Sequence, residues 1–142
     1  MLTRLLTTLC LVLCLAWPAQ AGEVSKADAA AFARIIEGQI KAFNADDSAA
    51  AYAHAAPLIQ QMFPDPEAFM AMVRQGYKPV YRQRAYAFGQ AHEDTPGLPV
   101  QEVKILDANG KTWIAVYTLQ KQPDGTWKIN GCSLKEVPGA DA

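Results

Sequence analysis

The sequence predicts an α+β fold in which N-terminal helices pack against a curved, mainly antiparallel four-stranded sheet. Three observations carry this prediction. Apolar residues recur at three- and four-residue spacing as far as Gly76, they alternate at two-residue spacing from Tyr81, and the alternating segments are separated by turn signals suited to a meander. Helices followed by strands, each with one apolar face, are most simply buried as a helical layer on one face of a sheet.

The first segment, MLTRLLTTLCLVLCLAWPAQA, reads as a secretory signal peptide over 1–21. Arg4 precedes an apolar run from Leu5 to Trp17, Pro18 breaks it, and Ala19 and Ala21 supply the small residues read before cleavage at Gly22. That run is shorter than the roughly 20 apolar residues of a membrane span, so stable membrane insertion after cleavage is not expected. Leu9 and Leu13 precede Cys10 and Cys14, where a lipid-anchor signal needs a small residue. The expected product is one domain, 22–142, located in the periplasm or outside the cell. Removing Arg4 from 13 basic residues leaves 12 against 14 acidic ones, a formal charge of −2. Nothing in that balance suits nucleic acid. Loss of Cys10 and Cys14 leaves Cys132 alone, so no internal disulfide can form.

In 25–47, Phe32, Ile35, Ile36, Ile40 and Phe43 form one helical stripe, with Ser25 and Asp28 as an approximate capping pair. Gly38 costs this helix about 1 kcal/mol, which is tolerable where another element packs close. The corner Asn44-Ala45-Asp46-Asp47 ends it and caps a short alanine-rich helix over 49–56. Pro57 restarts the chain for another turn or two through Leu58, Ile59, Met62 and Phe63. Asp65 then caps a third main helix with Pro66 at its first position and an apolar face of Phe69, Met70 and Val73.

The first strand is read from Tyr81 to Gly89, with Arg82, Arg84, Tyr86 and Phe88 on one side, and 89–98 as a polar loop. PVQEVKIL is the second strand, directing Val103 and Ile105 one way. Asp107-Ala108-Asn109-Gly110 turns into the third, where Trp113, Ala115, Tyr117 and Leu119 share a face. Pro123-Asp124-Gly125 turns into the fourth, WKINGCSL, and 136–142 reads as a flexible tail. Strict pleating sets Cys132 opposite Trp127, whereas a bulge or bend at Gly131 changes that register. A buried packing role is expected for this thiol, because neither histidine is near it in sequence.

The ordered blocks IIEGQIKAFNADD at 35–47, AYAHAAPLIQQMF at 51–63, FMAMVRQGYKPVY at 69–81 and VKILDANGKTWIAVYTLQKQPDGTWKINGCSL at 103–134 resemble a family of small bacterial exported proteins of unknown function, DUF4864. Their element order also resembles the nuclear transport factor 2-like, cone-shaped α+β superfamily. The resemblance implies a bent sheet wrapped on helices, often around a pocket, and implies no particular reaction.

Six residues are the candidates for ligand binding: Tyr52, His54, Arg84, Tyr86, Trp113 and Tyr117. Tyr86, Phe88, Trp113, Tyr117 and Trp127 are spread over several predicted strands and suit the apolar wall of a pocket, although they suit a core equally. Histidine is the residue type able to titrate near neutral pH, and His54 follows Asp46 and Asp47, but two residues after Tyr52 it points to a different helix face. Arg82 and Arg84, with Lys78, form the one compact basic feature and suit an acidic small ligand. His92-Glu93-Asp94 is a local cluster of metal-ligand types, but adjacent residues rarely converge on one ion, so neither metal nor cofactor is expected. No catalytic motif is assigned. The expected function is a non-catalytic module that binds a small organic molecule or an envelope protein. The alternatives are a small pocket enzyme using an Asp or His54 for proton transfer, and a dimerisation or assembly domain forming a homodimer.

Overall fold

The computed structural model describes residues 23–139. The signal-peptide reading therefore falls outside the described residues. Among the described residues, five helices precede four strands: α1 Lys26–Asn44, α2 Ser48–Ala53, α3 Pro57–Met62, α4 Pro66–Gly76, α5 Lys78–Tyr81, β1 Gln83–Thr95, β2 Leu98–Asp107, β3 Thr112–Lys121 and β4 Trp127–Glu136. The strands make one antiparallel meander in the order β1-β2-β3-β4.

Helix α1 forms where its stripe requires. Ser25 Oγ accepts from Asp28 N at 3.1 Å, and Phe32, Ile36, Ile40 and Phe43 are all buried. They meet the inward row of the sheet, Val103 and Ile105 from β2, Ala115, Tyr117 and Leu119 from β3, and Ile129 from β4. Burial of each large apolar side chain contributes about 1.5–3 kcal/mol, so the shared face of α1 and the sheet dominates the packing. The Phe32 ring meets Trp127 edge to face, with centroids 4.8 Å apart.

The short helices are tied down by polar contacts. Asp47 Oδ1 accepts from Ala50 N at 3.0 Å and Asp65 Oδ1 from Ala68 N at 2.8 Å, so each caps its helix. Gly38 is explained by His54: a Cβ there would lie 2.9 Å from His54 Nε2 and 3.0 Å from Cε1. The backbone around His54 is fixed as well, since Ile129 N donates to its carbonyl at 2.8 Å and Lys128 Nζ to the Ala53 carbonyl at 2.6 Å.

Two segments differ from the sequence reading. Residues 89–95 are strand rather than loop: β1 runs on to Thr95, pairs with Leu98, and turns through Pro96 and Gly97, the latter at φ 82°. Arg82 is not in β1 but follows α5, a single turn over Lys78–Tyr81 that apolar periodicity does not reveal. At the other end, Val137 N donates to Thr112 O at 2.9 Å, continuing the contact of β4 with β3 beyond Glu136.

Candidate functional site

Between the helical layer and the β3–β4 end of the sheet lies a cavity of about 470 Å³. Helices α3 and α4 supply Ile59, Met62, Phe69, Met72 and Val73, α1 supplies Gln39 and Phe43, and the sheet supplies Tyr117, Ile129 and Cys132. Among the described residues, no Asp, Glu, Lys, Arg or His lines it. The lining passes from Met62, 64% exposed, to Phe43 and Tyr117, at 3% and 1%. One end is therefore open to solvent and the other lies in the core.

Local chain geometry sets the sheet wall. Tyr117 pairs with Cys132, but Thr118 pairs with Gly131 and Leu119 with Ile129, so Asn130 is an extra residue on β4. This bulge lets Ile129 and Cys132 both face inward, three positions apart. Gly131 suits the place because a Cβ would lie 2.9 Å from Thr118 Oγ1. The direction of Cys132, open in the sequence, is thus settled towards the cavity.

The polar groups of the wall are few. Gln39 Nε2 donates to Ala51 O at 3.1 Å, joining α1 to α2. Tyr77 hydroxyl donates to Cys132 O at 3.0 Å, joining the end of α4 to β4. The Tyr117 hydroxyl is buried and has no hydrogen-bond partner among protein groups, as has Asn130 Oδ1. The Cys132 thiol is a neighbour of the Tyr117 hydroxyl and interacts with it as a weak sulfur partner. Burial raises the Tyr117 phenol well above its ordinary range and pushes the Cys132 thiol up to about 12. Both keep their protons at neutral pH, so this wall offers neutral O–H and S–H groups.

Of the six sequence candidates, Tyr117 lines the cavity and the other five lie elsewhere. Tyr52 stands behind the α3–α4 wall, where its hydroxyl sits 2.7 Å from Phe63 O and 3.1 Å from Gln60 O. Its ring packs on Phe69 at 5.8 Å, so it positions a wall it does not form. The His54 ring covers Gly38, and burial followed by the nearby Lys128 charge lowers its pKa. Tyr86 hydroxyl donates to Glu37 Oε1 at 3.0 Å, and Trp113 Nε1 to Asp107 Oδ2 at 2.9 Å. Arg84 is exposed on β1.

The other candidate groups are held in structural contacts. Asp46, at φ 51°, accepts from the Tyr81 hydroxyl and pairs with Arg82 at 2.7 Å. Its pKa is lowered, first by the Tyr81 hydrogen bond and also by the Arg82 charge. Arg82 also donates to Phe43 O at 2.7 Å and lies over the Tyr81 ring at 3.9 Å. This cluster latches the α1–α2 corner to α5. His92 Nε2 contacts Asp94 Oδ2 at 3.1 Å. Among the described residues no three His, Cys, Asp or Glu side chains gather as a metal site, and no helix is long and apolar enough to cross a membrane.

The residues missed by sequence reasoning are those of α3 and α4. Their signal was the run of Ile59, Met62, Phe63, Phe69, Met72 and Val73 around Pro64-Asp65-Pro66, two short apolar helices too brief to close over one another. Methionine is adaptable lining material for such a gap.

The chain matches the family model described as "Domain of unknown function (DUF4864)" over residues 25–142. No curated protein and no solved structure matches it. The matched span includes all nine elements and every residue of the cavity wall, and the chain belongs to the DUF4864 family.

Proposed function

We propose that this protein is a non-catalytic binding module that holds a small, largely apolar organic molecule in the cavity between α3, α4 and the β3–β4 end of the sheet. The observation that carries the reading is the cavity itself: about 470 Å³, apolar on nearly every side and open at Met62. Its volume falls within the roughly 300–1,000 Å³ of small-molecule sites, and its composition of apolar walls with few polar groups matches theirs. The leader read in the sequence would deliver the domain to the periplasm or the exterior, where such a module meets envelope-derived or imported molecules.

A binding role is favoured over proton-transfer catalysis by the placement of the titratable groups. Asp46, Asp47 and His54 lie outside the lining, and each is engaged in capping, latching or packing. A general acid or base has to reach the reacting atom, and none of these reaches the cavity. The test is native mass spectrometry of protein purified from its own compartment, with melting measured across a panel of apolar metabolites. Bound mass or a ligand-dependent rise in melting temperature is expected. Neither bound mass nor any shift would refute the reading.

A further inference from the structure

We infer that a second cavity, separate from the apolar one, binds a small aromatic carboxylate on Arg74, Lys78 and Trp113. It measures about 840 Å³ and lies between the end of α4, α5, the β2–β3 turn and the end of β4. The two linings have only Gly76 in common, so this site stands independently of the binding role proposed above.

Charge sets this cavity apart. Arg74, Lys78, Arg82 and Lys111 line it, against the carboxylates of Asp107 and Glu136. Both carboxylates are engaged. Asp107 is 7% exposed, its Oδ1 accepts from Asn109 N at 2.8 Å and Lys111 N at 2.9 Å, and its Oδ2 accepts from Trp113 Nε1 at 2.9 Å. Glu136 Oε1 pairs with Lys111 Nζ at 3.1 Å. Arg82 is spent as well, on Asp46 and the Phe43 carbonyl. The basic feature read in the sequence therefore comes down to Lys78, joined here by Arg74.

Arg74 is held from behind. Its Nε donates to the Tyr81 hydroxyl at 3.3 Å, and the guanidinium lies over the Tyr81 ring at 5.9 Å. Nη2 stands 3.9 Å from Asp46 Oδ1, outside hydrogen-bond reach, and Asp46 is already bonded by Tyr81 and Arg82. The two terminal nitrogens thus have no hydrogen-bond partner among the described residues. A carboxylate accepts from both at once, in the bidentate geometry a guanidinium favours. Lys78 is exposed, makes no ion pair among the described residues and brings a second positive charge to the same cavity.

The rest of the recognition is apolar. Trp113, Pro79 and Leu134 share the lining, and the bond from Trp113 Nε1 to Asp107 fixes the indole in place. A planar ring stacks on such a plate without ordering it first. An inorganic anion would use the cations alone and a hydrocarbon the indole alone, whereas an aromatic carboxylate uses both.

The test uses three matched probes, 2-naphthoate, uncharged 2-naphthamide and the saturated decalin-2-carboxylate, titrated at neutral pH into isotope-labelled protein purified from its own compartment. The Trp113 indole N–H signal reports this cavity, and the Ile129 and Cys132 amides report the apolar one. Naphthoate is expected to shift the Trp113 signal, binding about fivefold more tightly than naphthamide and about threefold more tightly than the saturated acid. Lys78→Gln should weaken naphthoate about threefold and Arg74→Gln about tenfold, with Arg74→Lys in between because it keeps the charge and loses the fork. Lys78→Gln breaks no ion pair, so its result stands even where loss of Arg74 loosens the corner at Asp46. A Trp113 signal unmoved by naphthoate at about 10 mM would overturn the site. Shifts confined to Ile129 and Cys132 would also overturn it, by placing the probe in the apolar cavity and leaving the binding role there intact. Equal binding of naphthamide would overturn the recognition of charge, equal binding of the saturated acid the stacking on Trp113, and an unchanged naphthoate affinity in Lys78→Gln and Arg74→Gln the assignment of these two cations.

Discussion

The contact between Gly38 and His54 yields the sharpest test of how the helical layer is built. In an exposed helix Gly→Ala stabilises by about 1 kcal/mol, because alanine loses less backbone freedom on folding. Here the new methyl would lie 2.9 Å from Nε2 and 3.0 Å from Cε1 of His54, several tenths of an ångström inside normal contact. The imidazole cannot retreat with its backbone, which is fixed by the 2.8 Å bond from Ile129 N to His54 O. It has to rotate out or push α1 away, and overpacking of this kind costs about 1–3 kcal/mol. Gly38→Ala should therefore destabilise wild type by about 1 kcal/mol. With His54→Ala the ring is gone, and the same change should stabilise by about 1 kcal/mol, giving a coupling of about 2 kcal/mol between adjacent sites. Urea unfolding of the four proteins, each with an unchanged m-value, measures the cycle. An equal effect of Gly38→Ala in both backgrounds would refute the argument that His54 is the reason for the glycine.

Three further outcomes follow from the same geometry. Tyr117→Phe removes a buried hydroxyl without a partner, so the ligand-free variant should be more stable by about 1–2 kcal/mol, a rise in melting temperature of about 4–8 °C for a domain of this size; a fall of similar size would show that the hydroxyl is bonded after all. The Cys132 thiol, pushed from 9.0 to about 12, should be alkylated at pH 8 on the order of a thousandfold more slowly than a free thiol, and iodoacetamide mass labelling at an ordinary thiol rate would contradict the raised pKa. His54 has a folded-state pKa below the ordinary histidine value of 6.5, so unfolding takes up a proton. Its contribution is present above about pH 6.5 and is lost as pH falls through the folded value; stability should decline between pH 7.5 and 5 more in wild type than in His54→Gln, and superimposable profiles would remove His54 as the source.

The parts of the fold that were legible in the sequence are those where one face is buried and the other wet. The α1 stripe and the inward rows of β2 and β3 met that condition, and all of Phe32, Ile36, Val103, Ile105, Ala115 and Leu119 are fully buried. The end of β1 did not. Residues 89–95 are half-exposed or exposed throughout, so no alternation marks them, and their extended form comes from the backbone ladder to β2. Helix α5 is one turn and too short for a 3.6-residue period to show. Its importance lies in what it positions: Tyr81 and the following Arg82, which hold Asp46.

The site was less legible, because residue type reports burial better than convergence. Tyr52, Tyr86 and Trp113 are partly buried aromatic residues with polar tips, as a pocket residue would be, but each tip is spent on a structural bond. Tyr117 looks the same in sequence and differs only in lacking such a bond. What sets it apart is its neighbour across the ladder. Were Asn130 paired in regular alternation instead of bulged, the pleat that directs Ile129 inward would direct Gly131 inward and Cys132 out, leaving no side chain opposite Tyr117. The wall at the closed end therefore depends on a one-residue irregularity. Deleting Asn130 would remove the bulge and leave Ile129 and Cys132 two positions apart, both inward by plain alternation and still opposite Leu119 and Tyr117. Gly131 marked a bend in the sequence, but only the register decides which side chain the bend brings inward.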